Sequence, residues 1–528
     1  MKSFITKQDN TLGNILEDAV NKSNKKFFLI FNDKKISYEL LNEKVDRLAN
    51  GFINFGISKG DHIAILMENC PEYIYTWFAL SKIGAIEVPI NFFHKGELLE
   101  YFINYSDAKT IILSESFESN FRDIKGNLNS IEQVISYSST KPEFDKLEVI
   151  LFSELFKNSG FNPEVKVKHN DIMAVLFTSG TTGASKGVML THNQMIFQSH
   201  LYCSIANFTA YDKMYQYLPL FHEAGQCGGT LAPLMANSTI VLKQKFSAHR
   251  FWNDIRKHNI TITGGFEPVI RILYKMSPQV DDANHSLKTI LCGHVPPDIQ
   301  EEFQKRFNVK LIDAYGLTET DCCITSTYDD IKIGSCGTVH NNYFDVKLFN
   351  ENDQEVPVGD EGEIVIRPLI PDIIMKGYYK MPEKTLDVFR NLWFHTGDIA
   401  YKDDEGYYYF VDRKKDMIRR AGENISSKEV ERIINSHSHV KECAIVGVKN
   451  EIYGEEVKAA IVLKKGKKLD YDDLIKFCKK RMAYFMVPRH IEFLEELPKG
   501  LDSQKVIKEK LKEITAQTFD RKEDKFGE

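Results

Sequence analysis

Short apolar runs rich in β-branched side chains recur through the first three hundred residues. They are HIAILM (62–67), KTIILS (109–114), MAVLFTS (173–179), STIVLK (238–243), ITITGG (260–265), KTILCG (288–293) and VKLIDAYG (309–316). Amphipathic stretches such as SAHRFWNDIRKHN (247–259) and PDIQEEFQKRFN (297–308) lie between several of them. Strand-like runs alternating with helical patterns predict βαβ units and parallel sheets. After about residue 330 the texture changes. YFDVKLFN, GEIVIRP and YYYFVD lie close together, with turn signals at Asn352-Asp353 and Gly359-Asp360, which predicts a smaller β-rich section. From about residue 416 the alternation returns as a helix (SSKEVERIINSH), two strands (ECAIVGV and VKAAIVLKK), a helix (DYDDLIKFCKKRM) and a strand (HIEFLEEL). That is enough chain for a compact α+β domain. DRKKDMIRR (412–420) between the two parts reads as a charged, solvated linker, and the terminal DRKEDKFGE as a frayed tail.

Composition narrows the function classes. A length of 528 residues predicts several domains. With 43% hydrophobic and 12% aromatic residues there is too much apolar surface for global disorder. Lys+Arg 68 against Asp+Glu 74 gives a net charge of −6, which argues against a dedicated nucleic-acid binder but not against a nucleotide. No apolar run reaches the ~18 residues of a membrane-spanning helix. The N-terminus MKSFITKQDNTLGNIL has neither an apolar core nor a cleavage site, so no signal peptide is predicted. The nine cysteines form no C-x-x-C pair and read as reduced thiols of a cytoplasmic protein, Cys322-Cys323 as two packed thiols.

The strongest local signal is Thr178-Ser179-Gly180-Thr181-Thr182-Gly183-Ala184-Ser185-Lys186-Gly187, directly after an apolar run. Glycines let a backbone turn sharply and aim successive N–H groups inward, and such nests bind anions. Hydroxyls and a lysine add donors and positive charge, so the loop suits a polyphosphate. It is not a Walker A loop, which places Ser or Thr directly after the lysine, where Gly187 stands. Thr191-His192-Asn193-Gln194 has the spacing of a helix capping box.

TSGTTGASKGV resembles the phosphate loop of the adenylate-forming superfamily: acyl-CoA synthetases, peptide-synthetase adenylation domains and beetle luciferases. Other blocks of that superfamily follow in order: Leu218-Pro219-Leu220-Phe221-His222, then Asp313-Ala314-Tyr315-Gly316-Leu317-Thr318-Glu319-Thr320, Gly362-Glu363-Ile364, Gly377-Tyr378, His395-Thr396-Gly397-Asp398, and Arg420-Ala421-Gly422-Glu423-Asn424-Ile425. The resemblance spans about residues 12–515 and is strongest to the crotonobetaine/carnitine-CoA ligase group. It implies an α/β fold: a large N-terminal body of stacked mixed sheets with helices (1–414, including the small β-rich section), and a small mobile α+β domain (415–528) turning about a hinge near Lys415.

The resemblance also implies a two-step reaction. A carboxylate attacks the α-phosphate of ATP to give an acyl-adenylate and pyrophosphate, and a thiol, that of coenzyme A, then displaces AMP. The loop Thr178–Lys186 is expected on the β- and γ-phosphates, Thr318 on the α-phosphate and Glu319 on Mg²⁺. Asp313, Ala314, Tyr315 and Gly316, with the turn Gly293-His294-Val295, are expected around adenine. Asp398 and Arg413 are expected at the ribose, and His222 as a gate or pocket wall. The family's catalytic lysine matches Lys505, although Gln504 replaces the usual glycine and the segment after Lys499 carries one extra residue. Domain rotation would withdraw Lys505 and bring Gly422-Glu423 to the acyl site. A free thiol ionises near pH ~8.5, so no Cys or His nucleophile is expected.

The expected acyl pocket comprises His222, Gly225, Gly264, Gly265, Phe266, Glu267 and Cys292 to His294. An acidic Glu267 there would favour a cationic or polar acid over a fatty chain; facing solvent, it would do nothing. The alternative within the superfamily is a stand-alone adenylation enzyme loading a carrier-protein phosphopantetheine. More remote readings are a weakly active nucleotide-binding regulator and a light-emitting oxygenase. The partners implied are small molecules, without nucleic acid or a transmembrane segment, and a homo-oligomer is compatible with the resemblance.

Overall fold

A computed structural model describes residues 10–178, 185–413, 417–498, 506 and 508–521. The predicted strands form as His62–Leu66, Thr110–Ser114, Ile172–Thr178, Thr239–Leu242, Ile262–Phe266, Thr289–Gly293 and Lys310–Leu317. They divide between two large sheets, of eight and nine strands among the described residues. In the first, Ile86–Pro89, His62–Leu66 and Thr110–Ser114 run parallel beside Ile172–Thr178. In the second, Lys213–Gln216, Ile262–Phe266, Thr289–Gly293 and Lys310–Leu317 run parallel. The loop after Thr178 departs from the βαβ expectation. The strand that follows, Lys186–Thr191, returns antiparallel to Ile172–Thr178 with Thr178 opposite Lys186. The next helix, His192–Ile205, starts where the capping box predicts, and the Gln194 N–H donates to Thr191 Oγ1 at 3.1 Å.

The largest core lies between these sheets and joins residues of both. Helix Pro71–Ile83 crosses it with every residue but Glu72 buried. A helix covered on all sides carries no polar face, so its sequence, PEYIYTWFALSKI, lacks the usual amphipathic stripe.

The β-rich section is an antiparallel sheet built around Phe344–Phe349, Gly362–Pro368, Trp393–Lys402 and Tyr408–Arg413. The C-terminal part has its own mixed sheet, with Val440–Asn450 and Gly454–Leu463 as its long strands and helices Ser427–Asn435 and Tyr471–Lys479 packed on it. Two expectations are corrected here. The second half of the charged 412–420 segment is a strand, Met417–Arg420, which turns at Ala421-Gly422 into Glu423–Ser426. Its Arg420 is buried and pairs with Glu456 at 2.7 Å, which ties this strand to Gly454–Leu463 inside the sheet. Asp520, expected in the tail, is in strand Phe519–Asp520, which pairs with His490 and Ile491. The 414/415 boundary, Lys415 and residues 522–528 lie outside the described residues.

The C-terminal part docks against Phe93, Glu97 and Ser185 of the large body. The Phe93 ring meets those of Tyr484 and Phe485 at 4.9 and 6.1 Å. Arg481 faces Glu97 at 3.8 Å. The Ser185 N–H donates to the Glu429 carboxylate at 3.2 Å, and the Ser185 hydroxyl donates to it as well. All nine cysteines are free. No described helix is long and apolar enough to cross a membrane.

Candidate active site

The ends of both large sheets, the β-rich section and the docked C-terminal part enclose one cavity of about 870 Å³. Thr178 and Lys186, the described flanks of the phosphate-type loop, stand in its wall; Ser179, Gly180, Thr181, Thr182 and Gly183 lie outside the described residues. Lys186 Nζ sits 4.5 Å from the centre of the Tyr378 ring. The Tyr378 hydroxyl donates to Glu319 Oε1 at 2.8 Å. The loop lysine, an aromatic face and the carboxylate expected on Mg²⁺ are therefore assembled in sequence. Thr318 lines the same wall, and its carbonyl accepts from Gln194 Nε2 at 3.1 Å. The same amide donates to Asp321 at 3.0 Å, which fixes the turn carrying both residues.

His222 opens to the cavity, and the protein packed around its ring pulls the imidazole below the usual range. Gly225 follows one residue after the start of an irregular helix, Ala224–Leu231. A Cβ at Gly225 would lie 2.2 Å from the Pro219 carbonyl oxygen, so only glycine allows the close turn beneath His222. Beyond Ala224 lies a recess of about 60 Å³, lined by Tyr202, Leu218, Gly228, Gly229, Gly264, Gly265, Phe266 and Cys292, among others. Phe266, Gly293 and Ala314 line both spaces.

Several expected residues stand elsewhere. Glu267 lines neither space: at the start of helix Glu267–Lys275 its carboxylate accepts from Arg271 Nε at 2.7 Å and faces His294 at 3.7 Å. It is already neutralised by a cation four residues on. Asp313 is buried, accepts the Val295 N–H at 2.7 Å, and is pushed up to about 7 by burial; it clamps the 293–295 turn and does not face the cavity. The Tyr315 hydroxyl donates to the fully buried Asp398 at 2.9 Å, so in this arrangement the expected adenine and ribose partners hold each other. Gly316, Thr396 and Gly397 line the cavity beside them. The Arg413 backbone pairs in register with Asp398. Lys505 and Lys499 lie outside the described residues.

Glu423 does reach the cavity, while Gly422 packs on a residue that lines it. Gly422, at φ +83°, stands against the Phe266 ring, and Glu423 enters the wall beyond it. Burial raises the Glu423 carboxyl to about 7. Glu223, which no sequence motif marks, is a buried side chain in the cavity wall next to His222. Burial holds its carboxyl well above the usual range, with Glu319 adding to the shift. The available signal was a carboxylate directly after the histidine of the LPLFH block.

The AMP-binding enzyme family model matches residues 16–379, more than half the chain. This chain belongs to the AMP-binding enzyme family. The family's C-terminal domain model matches residues 429–502 of this AMP-binding enzyme. It is 35% identical over 488 residues to a crotonobetaine/carnitine–CoA ligase of Salmonella paratyphi A, covering 91% of this chain and 93% of the relative. Among solved structures it is similar to o-succinylbenzoate CoA synthetase of Bacillus subtilis bound to a product analogue, with a TM-score of 0.81, 25% identity, and 94% and 98% of the two chains covered. It is also similar to a fatty acyl CoA synthetase of Mycobacterium tuberculosis, with a TM-score of 0.69, 26% identity, and 95% and 98% covered.

Proposed function

We propose that this cavity joins a short, positively charged carboxylic acid to coenzyme A, with the roles below. The chain is an ATP-dependent, AMP-forming acyl-CoA ligase. It activates a carboxylic acid as an acyl-adenylate with release of pyrophosphate, then transfers the acyl group to the thiol of coenzyme A and releases AMP.

The first step brings a carboxylate against a polyphosphate, so the barrier is set largely by like charge and is lowered by fixed positive groups and donors. Lys186, at the foot of the loop, supplies one positive charge, and the Thr318 hydroxyl supplies a donor for the α-phosphate. Lys505 is assigned to the attacking carboxylate and α-phosphate. Glu319 fits a magnesium ion. Its carboxylate faces the cavity, Tyr378 holds one oxygen, and among the described residues it is in no ion pair. No cluster of three or more metal-type side chains is present among the described residues, which suits an ion held by one or two carboxylates with phosphates completing the shell. When bound, that ion neutralises phosphate charge.

The second step is carried by one observation, the seating of Gly422 on Phe266, which puts the turn Arg420–Glu423 of the C-terminal part at the acyl site. The higher TM-score to the product-analogue complex, 0.81 against 0.72 for anthranilate CoA ligase with anthranoyl-AMP, supports reading this as the thioester-forming arrangement. Adenylate formation then requires the C-terminal domain to turn about Lys415 and present Lys505. Coenzyme A is the acceptor, and a carrier protein is not favoured. The small recess favours a short acid, and the names of curated relatives at 34–35% identity support a quaternary-ammonium acid. The free thiols suit a cytoplasmic enzyme. Pyrophosphate exchange across a panel of acids, followed by addition of coenzyme A, tests this reading. Acid-dependent exchange and acyl-CoA formation are expected, and exchange independent of any acid would refute it.

A further inference from the structure

We propose that Glu223 is the side chain by which this enzyme selects an acid carrying a fixed positive charge. The inference rests on reading the cavity as the acid-binding site, and deepens it. Glu223 is 8% exposed and stands in the cavity wall between His222 and Ala224, and Ala224 is shared with the small recess. Among the described residues it has no cationic partner. Its electrostatic neighbours are the Thr318 hydroxyl, the carboxylates of Glu319 and Asp321, the phenol of Tyr202, and the thiols of Cys227 and Cys322. Asp321 is held by Gln194, and Glu319 by Tyr378.

This is an unfavourable place to bring the carboxylate of a plain acid. Burial and the nearby Glu319 disfavour the ionised form of Glu223, and the carboxylate of an incoming acid adds further repulsion in a low-dielectric wall. A substrate that carries its own cation removes both difficulties. A quaternary ammonium offers no hydrogen-bond donor, so it is recognised by negative charge and by aromatic faces. Tyr202 and Phe266 supply aromatic rings at the mouth of the recess. Glu267, the acidic side chain to which the sequence reading gave this part, is already matched by Arg271, itself shared bidentately with Asp298 at 2.7 and 2.8 Å.

The test compares kcat/KM of the full-length enzyme for two acids of equal shape: a four-carbon acid ending in trimethylammonium, and its neutral isostere ending in a tert-butyl group. The wild type is expected to prefer the cationic acid by at least about tenfold. In Glu223→Gln the preference collapses toward one, chiefly through a higher KM for the cationic acid, and Glu223→Asp restores most of it. A preference that survives in Glu223→Gln overturns the inference. So does an equal loss for both acids accompanied by a raised Mg²⁺ requirement, which would make Glu223 part of the metal site. Wild type that ligates the neutral acid as well as the cationic one refutes the inference while leaving the ligase reaction intact. Wild type that ligates no acid refutes the proposed function itself.

Discussion

Gly422 packs directly on Phe266: a Cβ built on Gly422 would lie 2.9 Å from Phe266 Cγ, at a backbone φ of +83°. The two residues lie on opposite sides of the contact between the large body and the C-terminal domain. Only a residue without a side chain can close this contact. A left-handed conformation costs a non-glycine residue about 1–2 kcal/mol, and the collision with the ring adds to that. Gly422→Ala is therefore expected to slow acyl transfer to coenzyme A by about 10- to 100-fold. Acid-dependent pyrophosphate exchange should suffer far less, because the proposed rotation about Lys415 gives adenylate formation a different domain arrangement. Single-turnover acyl transfer from preformed acyl-adenylate, set beside the exchange assay, checks the split; equal losses would place Gly422 outside the domain contact.

Glu423 gives the same contact a pH dependence. Its carboxyl rises from the ordinary 4.5 to about 7 on burial. The sign follows from which form the buried state prefers. Below pH 4.5 the group is protonated in either arrangement and burial costs nothing extra. As pH rises from there towards 7, ionisation increasingly opposes the docked arrangement, and above 7 the penalty is constant. Glu423→Gln carries no such penalty. The ratio of wild-type to Glu423→Gln acyl-transfer rates should fall with pH across this window and level off above it. Taking the ratio cancels ionisation of the thiol. A flat ratio would show that Glu423 is not buried during transfer.

Glu319 concerns the other half-reaction. Removing a preorganised charge-stabilising group costs about 10²–10³ in rate in comparable sites. Glu319→Gln should reduce pyrophosphate exchange by about that factor and raise the Mg²⁺ concentration needed, and chelation of divalent cations should abolish exchange in the wild type. Exchange that persists in the presence of a chelator would exclude the metal role.

Glu429 links the C-terminal domain to Ser185 at the foot of the phosphate-type loop. A hydrogen bond to a charged group is worth about 1.5–3 kcal/mol. Glu429→Ala should therefore weaken the docked arrangement and slow acyl transfer by about tenfold, with exchange retained or raised. Slower exchange would assign Glu429 to ATP binding instead.

The sequence was most informative where local pattern and chemistry coincide. The apolar runs 62–67, 109–114 and 288–293 became strands, and Thr191 capped the helix its spacing predicts. The order of motif blocks located Lys186, Thr318 and Glu319 in one cavity. What it missed depends on contacts distant in sequence. Tyr315 and Asp398 are 83 residues apart, and Ser185 and Glu429 are 244 apart; nothing local predicts that either pair would bond. Glu267 is the instructive exception, because Arg271 lies four residues on in the same helix. Spacing of i,i+4 alone would have shown that this carboxylate is already paired. Glu223 was hidden for another reason: one residue beside His222, it reads as ordinary until its burial without a cation is seen.

The central claim is that one cavity forms an acyl-adenylate and then an acyl-CoA. The most direct measurement is to incubate the enzyme with ATP, Mg²⁺, a short trimethylammonium-bearing acid and coenzyme A, and to quantify nucleotide and thioester products together. AMP, pyrophosphate and acyl-CoA are expected in equal amounts, with pyrophosphate exchange that depends on the acid but not on coenzyme A. ADP as the nucleotide product, or exchange that proceeds without any acid, would contradict it.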